Sequence, residues 1–166
     1  AITWENLDQA RSRFAQIAEQ RLALLSESDA ALQRVRLMGS AVAPGYGDIV
    51  LRIEAERPMP VVERLMEFSL NGETRLKSGG TQRTVPLKAT ADRIDLLADG
   101  TFRLFDYKLS RAPDLKQVVQ LPAYAASACQ RLEGYRGRSW RPAEAAYIAF
   151  GKTHYAPLAK KAGELE

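Results

Sequence analysis

The stretch ADRIDLLADGTFRLFDYKLS, residues 91–110, contains two runs of alternating apolar and charged residues, separated by Ala98-Asp99-Gly100. Alternation with period two is typical of a half-buried β-strand, and an Asp-Gly pair is typical of a tight turn. The stretch therefore predicts a β-hairpin. If these three residues form the loop with Gly100 in the left-handed conformation, Leu97 faces Thr101, and this sets the register of the whole hairpin.

This register sorts the charged side chains between the two faces of the hairpin. Asp95 lies across from Arg103, which predicts a cross-strand ion pair worth a few tenths to ~1 kcal/mol. The other face is apolar and ends in three charged residues, with Asp92 opposite Asp106 and Lys108 two residues further along. A two-residue loop would shift the register by one residue and destroy this arrangement.

Geometry leaves two interpretations of the facing carboxylates open. Directly opposed carboxylates repel each other and resist ionisation, and a divalent cation bound to the oxygens of Asp92 and Asp106 would remove that cost. Alternatively, both carboxylates are solvated at a sheet edge, with Lys108 as their counterion.

Composition limits the class of protein. The chain has 166 residues, 46% hydrophobic and 27% charged, which suits one globular domain. No run is long and apolar enough for a transmembrane helix, so we expect no membrane partner. The single cysteine, Cys129, excludes an internal disulfide and favours a cytoplasmic location. With His154 as the single histidine, a Cys/His zinc site within the chain is excluded.

The net charge of +4 is unevenly distributed. Residues 1–60 contain seven Lys and Arg against eight Asp and Glu, whereas residues 61–166 contain seventeen against twelve. The basic excess therefore lies in the part that contains the hairpin. It fits a polyanionic partner, or simply a soluble surface.

Hydrophobic periodicity predicts the other elements. We expect four helices, the second ending at Gly39 and the last with Pro122 in its first turn, at about 5–25, 29–38, 47–56 and 119–132. We expect strands at 61–70, 84–97, 101–108 and 145–150. Asn71-Gly72 predicts a hairpin turn and Ser78-Gly79-Gly80 a loop.

The expected organisation is one domain in three parts. A helical segment, residues 1–57, packs on a core at residues 58–150, and residues 151–166 form a loosely ordered tail. We expect the last two residues, Leu165-Glu166, to be a remnant of cloning.

Three motifs in one order resemble those of the PD-(D/E)XK nuclease superfamily: Asp92-Arg93-Ile94-Asp95, Asp106-Tyr107-Lys108 and Gln120-Leu121-Pro122-Ala123-Tyr124. They are similar to the nuclease domain of RecB- and AddB-type helicase–nucleases, with Cas4-like exonucleases as relatives. The resemblance covers about residues 58–128. It implies an α/β fold with a restriction-endonuclease-like core, a central mixed β-sheet flanked by helices, here with an N-terminal helical segment.

The resemblance also implies roles for the residues of the hairpin. Asp92 and Asp106 match metal-binding carboxylates, and the carbonyl of Tyr107 matches a backbone ligand. The implied cofactor is Mg²⁺ or Mn²⁺, which polarises the scissile phosphate and acidifies a bound water. Lys108 matches a catalytic lysine that orients that water and stabilises developing charge. Alternatively, Lys108 is only a counterion to the two aspartates, a role that it would also have in an inactive protein.

Further residues complete the implied site. Gln120 and Tyr124 match helix residues that lie beside the active site and contact DNA or the metal shell. A glutamate on the preceding strand often accompanies them. We expect Glu63 in this role, with Glu67 as the second choice, because both share one face of that strand.

The segment from Arg131 to Pro142 is predicted to be a basic loop. Its arginines could bind DNA phosphates and its aromatic side chains could stack on unpaired bases. The residues expected to do so are Arg131, Arg136, Arg138, Trp140 and Arg141. The alternative is an exposed loop that serves solubility.

The resemblance is incomplete at four points. Ala89 replaces the first glycine of the aspartate motif, and Leu109-Ser110 replaces the Thr-Gly after the lysine. No histidine precedes Asp92, although this branch usually has a metal-binding histidine upstream. Cys129 alone cannot hold an iron–sulfur cluster, so none is expected.

We therefore predict a Mg²⁺- or Mn²⁺-dependent deoxyribonuclease, an exonuclease acting on DNA in recombinational repair. Its partners would be DNA and a helicase domain or subunit of the same complex. The alternative is a catalytically inactive module for DNA binding or scaffolding in a helicase-like repair protein, which the missing histidine favours. A third interpretation is an unrelated α/β domain.

Overall fold

The computed structural model describes residues 1–114, 119–151 and 154–158. The chain divides into two compact units, residues 1–59 and 60–166. No helix in these described ranges has the length and apolar character needed to cross a membrane.

The N-terminal unit consists of three helices at the predicted places. A 3-10 turn (Trp4–Asn6) leads into α1 (Leu7–Leu22), followed by α2 (Glu27–Met38), the short strands β1 (Gly39–Ser40) and β2 (Ala43–Pro44), and α3 (Tyr46–Glu56). Gly39 ends α2, as predicted, with a φ of 86°. Arg11 of α1 donates hydrogen bonds to Asp48 of α3 and so joins the two helices.

The described residues of the second unit form a mixed β-sheet and one α-helix of twelve residues. Its strands are β3 (Val61–Ser69), β4 (Gly72–Ser78), β5 (Thr81–Leu87), β6 (Thr90–Leu97), β7 (Thr101–Lys108), β8 (Arg141–Ala149) and β9 (Tyr155–Pro157). The five-stranded sheet has the order β3-β6-β7-β8-β9, and β4 and β5 form a separate two-stranded ribbon. Strands β7 and β8 are parallel because α4 (Gln120–Arg131) crosses over between them. The predicted α/β fold class is confirmed and is consistent with a restriction-endonuclease-like core.

The β6–β7 hairpin has the predicted register. Ile94 pairs with Leu104 and Asp95 with Arg103. Gly100 has a φ of 85°, and its N–H donates to the carbonyl of Leu97 at 3.2 Å. The predicted register is confirmed. It forms because glycine occupies the one loop position that requires the left-handed conformation.

Two predictions for the segment between β3 and β6 are wrong. The predicted strand 84–97 is interrupted after Leu87, and its two parts belong to different sheets. Asn71-Gly72 does not turn β3 back on itself, because β3 pairs with β6. The tight turn is at Gly79-Gly80, where both φ values are positive, 56° and 79°, as a type I′ turn requires.

The regular alternation expected along β3 breaks at Glu67. The φ of Glu67 is 49°, in the left-handed region. Leu65 and Phe68, three residues apart, both pack against the core, whereas Met66 and Glu67 are exposed. Contrary to expectation, Glu63 and Glu67 are therefore not equivalent positions on one regular face.

The sheet extends further at its C-terminal end than predicted. Strand β8 begins at Arg141 instead of Ala145, because its parallel pairing with β7 starts at Thr101. Strand β9 lies within the expected tail and pairs with β8. The rest of that tail, including Leu165-Glu166, falls outside the described residues apart from Gly151, His154 and Leu158.

The inner face of the sheet is covered by α4. Ile94, Leu96, Phe102 and Leu104 of the hairpin share one buried core with Leu121, Ala125 and Ala128 of the helix. Burying each large apolar side chain contributes about 1.5–3 kcal/mol. This layer therefore fixes α4 on the sheet and fixes the position of Gln120, its first residue.

The opposite face of the hairpin holds a buried charge cluster. Asp95 is fully buried and forms ion pairs with Arg93, with Arg103 at 3.1 Å and with Arg64 at 2.7 Å. The guanidinium groups of Arg93 and Arg103 lie 4.8 and 5.3 Å from the centre of the Phe105 ring. The predicted Asp95–Arg103 pair is confirmed, but the energy expected for an exposed pair does not apply to a buried cluster.

The surrounding arginines decide the ionisation of Asp95. Burial acts to raise the pKa of Asp95, but hydrogen bonds from Arg93 and Arg64 outweigh it and hold the pKa below its ordinary value of 3.8. The folded state therefore favours the carboxylate. This stabilisation is present above the ordinary pKa and is lost as pH falls through the lower pKa of the folded state.

Asp95→Ala should lower the free energy of unfolding by about 3–5 kcal/mol, because it removes the buried carboxylate that pairs with Arg93 and Arg103. Urea denaturation at neutral pH measures this. Asp99→Ala is the matched control, since Asp99 lies in the loop of the same hairpin and bonds to Thr101. It should cost no more than about 1 kcal/mol. Equal losses for the two variants would contradict the assignment of the cluster.

Candidate active site

The apolar inner face of the sheet ends in polar side chains from four elements. Asp92 comes from the start of β6, and Asp106 and Lys108 come from the end of β7. Gln120 is the first residue of α4, and Tyr147 of β8 lies beside Asp106 in the parallel register. We call these five residues the polar cluster.

Asp106 is the buried carboxylate of the polar cluster, with 4% of its surface exposed. Its Oδ1 accepts a hydrogen bond from Gln120 Nε2 at 3.0 Å. Its Oδ2 lies 2.5 Å from Lys108 Nζ, an ion pair without hydrogen-bond geometry. Burial raises the pKa of Asp106, the charge of Asp92 acts in the same direction, and Lys108 and Gln120 offset only part of this. Unlike Asp95, this carboxylate is incompletely neutralised.

Gln120 connects the members of the polar cluster. Its Oε1 accepts hydrogen bonds from Lys108 Nζ at 3.3 Å and from the Tyr147 hydroxyl at 3.1 Å. Because its Nε2 donates to Asp106, both ends of the amide have partners. The side chain is thereby held in one orientation.

Tyr147 was not among the site residues predicted from the sequence. It is fully buried, and its ring centre lies 5.2 Å from Lys108 Nζ. Burial, together with the proximity of Asp106 and Tyr124, raises its pKa to about 12, so the hydroxyl remains a donor. The sequence shows only a tyrosine within an apolar strand, because the crossover through α4 decides which β8 residue lies beside Asp106.

Tyr124 lies one helical turn after Gln120 on α4. It is half-buried and packs against the core of the unit. Residues four positions apart share one face of a helix. The structure therefore places both predicted helix residues on the same side of α4, close enough to Tyr147 to affect its pKa.

Asp92 and Tyr107 are joined through the backbone. Asp92 Oδ2 accepts a hydrogen bond from the N–H of Tyr107 at 2.6 Å. The Tyr107 ring stacks on Phe150 with 6.1 Å between centres, and its hydroxyl accepts a hydrogen bond from Arg93. The N–H of Tyr107 thus positions Asp92. The metal-binding role of its carbonyl stays a prediction.

Glu63 is not part of the polar cluster. It pairs with Leu96, four residues along β6 from Asp92, which is about 13 Å. Its carboxylate is held there by Arg136 and by the Tyr135 hydroxyl at 3.0 Å. This placement corrects the choice of Glu63 as the acidic residue of the site.

The acidic residue of β3 nearest in register to Asp92 is Glu67. It lies between the pairs Met66–Arg93 and Phe68–Ala91, and its side chain is exposed. In the described part of the chain, no three His, Cys, Asp or Glu side chains come close enough together to hold a metal ion. Asp92 and Asp106 are therefore the pair of donors to consider. The two carboxylates supply oxygen donors, the type that a hard cation such as Mg²⁺ or Mn²⁺ prefers, and the raised pKa of Asp106 shows that its charge is only partly neutralised.

The predicted basic loop lies at the other end of the sheet. Arg141 pairs with Thr101, seven residues along β7 from Lys108, which is about 23 Å. Trp140 is 5% exposed and donates its indole N–H to the carbonyl of Tyr135. It is a core residue, which corrects its predicted role as a platform for bases.

The arginines of this loop differ in their surroundings. Arg131 donates to the carbonyl of Glu73 at 2.9 Å, and Arg136 pairs with Glu63 at 3.0 Å. These contacts give both arginines intramolecular partners, and their predicted contact with DNA stays a prediction. Arg138 and Arg141 are exposed, but far from the polar cluster.

A protein-family model described as the PD-(D/E)XK nuclease superfamily matches residues 4–165. No curated protein matches the chain.

Tyr147→Phe should change how stability depends on pH. The pKa of Tyr147 is about 12 against an ordinary 10.0, so the folded protein keeps a proton that the unfolded chain loses, and stability falls as pH rises through this range. At pH 11 the loss is about 1.4 kcal/mol. Urea denaturation at pH 9 and pH 11 should show this loss in the wild type and not in the variant. Tyr46→Phe, in the N-terminal unit, is the control and should lose stability between pH 9 and pH 11 as the wild type does. If Tyr147→Phe loses as much stability as the wild type, the raised pKa of Tyr147 is refuted.

Proposed function

Because the chain belongs to the PD-(D/E)XK nuclease superfamily, we propose that it is a Mg²⁺- or Mn²⁺-dependent nuclease that hydrolyses phosphodiester bonds of DNA. The observation that carries this proposal is the contact of Asp106 with both Lys108 and Gln120 beside Asp92. A buried acid with a raised pKa, an amine and a fixed amide meet at one edge of the sheet. Such perturbed groups cluster at functional sites.

Asp92 and Asp106 would hold the cation, which when bound would supply charge relief at the scissile phosphate and a more acidic water. Of the two, Asp106 is the more deeply buried, and its Oδ2 is paired with Lys108. Asp92 is half-buried and is positioned by the N–H of Tyr107. The two carboxylates thus differ in exposure and present oxygen donors, the type that Mg²⁺ and Mn²⁺ prefer.

Lys108 is the member of the polar cluster that the substrate would touch. Its side chain is 29% exposed, whereas that of Asp106 is 5% exposed. Asp106 and Gln120 hold the amine from the protein side. From this position Lys108 can orient a water molecule and stabilise the charge that develops on a phosphate oxygen.

Gln120 and Tyr147 act as positioning residues. The Tyr147 hydroxyl donates to Gln120 Oε1, which leaves Gln120 Nε2 directed at Asp106. Since the raised pKa of Tyr147 keeps its proton in place, this direction does not change near neutral pH. Tyr124, on the same side of α4, lies beside them.

We further assign Glu67 as the acidic residue contributed by β3. Its position beside Asp92 in the β3–β6 register supports this choice, and its exposure leaves the carboxylate accessible to substrate. The left-handed φ of Glu67 is an unusual conformation for a residue other than glycine. Such conformations are concentrated at functional sites.

The finer proposal is an exonuclease that acts in recombinational DNA repair within a RecB- or AddB-type helicase–nuclease. The order and spacing of the motifs support it: the aspartate motif at Asp92, the lysine motif at Asp106 and the helix motif at Gln120. The motor would be a helicase domain or subunit of the same complex, because residues 1–166 contain no phosphate-binding motor motif.

The alternative is a catalytically inactive module that binds DNA or serves as a scaffold in such a complex. The observation that favours it is that the described residues contain no group of three metal-binding side chains. The two proposals differ in one measurable property, the hydrolysis of DNA.

Lys108→Ala should lower the rate of DNA hydrolysis about 10²- to 10⁴-fold, because it removes the group that orients water and stabilises charge. The assay follows the degradation of linear single- and double-stranded DNA with Mg²⁺, with Mn²⁺ and with a chelator. Arg141→Ala is the control, since it removes an exposed cation at the other end of the sheet. DNA binding by the wild type without degradation under any metal would favour the inactive module.

Glu67→Gln should lower hydrolysis about tenfold or more, whereas Glu63→Gln should leave the rate within a factor of two, because Glu63 pairs with β6 four residues, about 13 Å, from Asp92. The two changes are chemically identical and lie on one strand, so each controls for the other. Initial rates at saturating metal measure the difference. A larger loss in Glu63→Gln would refute the assignment of Glu67.

A further inference from the structure

We propose that the β4–β5 ribbon is an arm that binds the phosphates of DNA beside the active site. This inference rests on the proposed function, because it takes DNA as the polyanion that reaches the polar cluster. Neither strand of the ribbon pairs with the five-stranded sheet. The ribbon is thus an addition to the core, and its position and charge indicate what it does.

The ribbon emerges at the end of the sheet that contains the polar cluster. It is inserted between β3 and β6, and Thr90, the first residue of β6, lies two positions before Asp92. At its base the N–H of Leu70 donates to the carbonyl of Ala89 at 2.9 Å, and the N–H of Ala89 donates to the Asn71 side chain at 2.9 Å. These bonds hold the two chains of the ribbon together next to Asp92.

Helix α4 anchors the half of the ribbon that is next to its base. The Thr74 hydroxyl donates to the Ser127 hydroxyl at 3.1 Å in a buried contact. The Gln130 side chain accepts from the backbone N–H of Arg75 and donates to its carbonyl. These bonds use the backbone of Arg75 and leave its exposed guanidinium available to a partner.

Arg131 completes this anchor. Its guanidinium donates to the carbonyl of Glu73 and lies 2.3 Å from where a Cβ on Gly72 would be, so a side chain there would make the guanidinium shift. Gly72 has a φ of 133°, which glycine adopts readily. The same helix begins with Gln120, which contacts Asp106. The helix therefore fixes the ribbon and the polar cluster relative to each other.

The ribbon is basic and open to solvent. Residues 72–88 contain four Lys and Arg against one Glu. Arg75, Arg83 and Lys88 are exposed, and none of the three forms an ion pair with a described residue. Cations that lack intramolecular partners are the ones available to phosphates, and each phosphate neutralised releases counterions from DNA.

The competing basic surface is the exposed pair Arg138 and Arg141. It lies about 23 Å from Lys108 along β7. The base of the ribbon, next to Lys88, lies within about 10 Å of Asp92, and Arg75 and Arg83 lie three to four residues, about 10–13 Å, further along the ribbon. A DNA strand with a phosphate at Lys108 reaches the ribbon within a few nucleotides. This favours the ribbon as the surface that determines affinity.

The test measures binding of a short fluorescent DNA duplex by anisotropy, without divalent cations, over a range of salt concentrations. The variant Arg75→Gln/Arg83→Gln removes two charges from the ribbon. Arg138→Gln/Arg141→Gln removes two from the opposite end and is the matched control. We expect the ribbon variant to bind about tenfold or more weakly at low salt, with a salt slope smaller by about 1.8, and the control to bind within about twofold of the wild type. Thermal unfolding of both variants confirms that they are folded.

Equal weakening in the two variants, or wild-type affinity in the ribbon variant, overturns the proposal. Absence of DNA binding by the wild type at low salt also overturns it. A hydrolysis assay on the same proteins separates this from the proposed function. Ribbon-dependent binding without hydrolysis would support the arm and refute the enzyme, whereas hydrolysis at wild-type rate and KM by the ribbon variant would support the enzyme and refute the arm.

Discussion

The pairing register of β6 with β7 is the constraint on which the rest of the second unit depends. Gly100 adopts the left-handed conformation in a three-residue loop, and this sets which side chains oppose each other. A shift by one residue would exchange the two faces of the hairpin. Asp95 would then lie under α4, and Asp106 and Lys108 would lose their contacts with Gln120.

The register creates two buried aspartates with opposite surroundings. Asp95 receives hydrogen bonds from Arg64, Arg93 and Arg103, and its pKa is lowered despite burial. Asp106 has Lys108 and Gln120, and its pKa is raised. The fully matched carboxylate is held in its ionised form inside the fold, whereas the partly matched one favours a proton or a bound cation. The number of neighbouring cations thus accounts for the opposite pKa shifts of the two aspartates.

Features that depend on residues close together in the sequence were predicted correctly, whereas features that depend on distant residues were not. The helices of the N-terminal unit and the hairpin depend on neighbours within about ten residues, through periodicity, Gly39 as a cap and Gly100 in the loop. The misplaced features depend on partners far away in the chain. Asn71-Gly72 fails as a hairpin turn because β3 pairs with β6, and Trp140 is a core residue because it packs within the cluster covered by α4. The choice between Glu63 and Glu67 also depended on the β3–β6 register, which no local pattern shows.

The sequence by itself determined the α/β class, the hairpin register and the placement of Asp92, Asp106 and Lys108 at one end of one face, because side-chain alternation and turn chemistry are local properties. Tertiary structure alone decided that Gln120 and Tyr147 join them, since this requires the helical crossover between parallel strands. It also decided that the basic surface near the site is the β4–β5 ribbon and not the arginine-rich loop. The physical reason is that distance and burial depend on which strands pair. These pairings join residues that are far apart in the sequence, and no local sequence pattern predicts them.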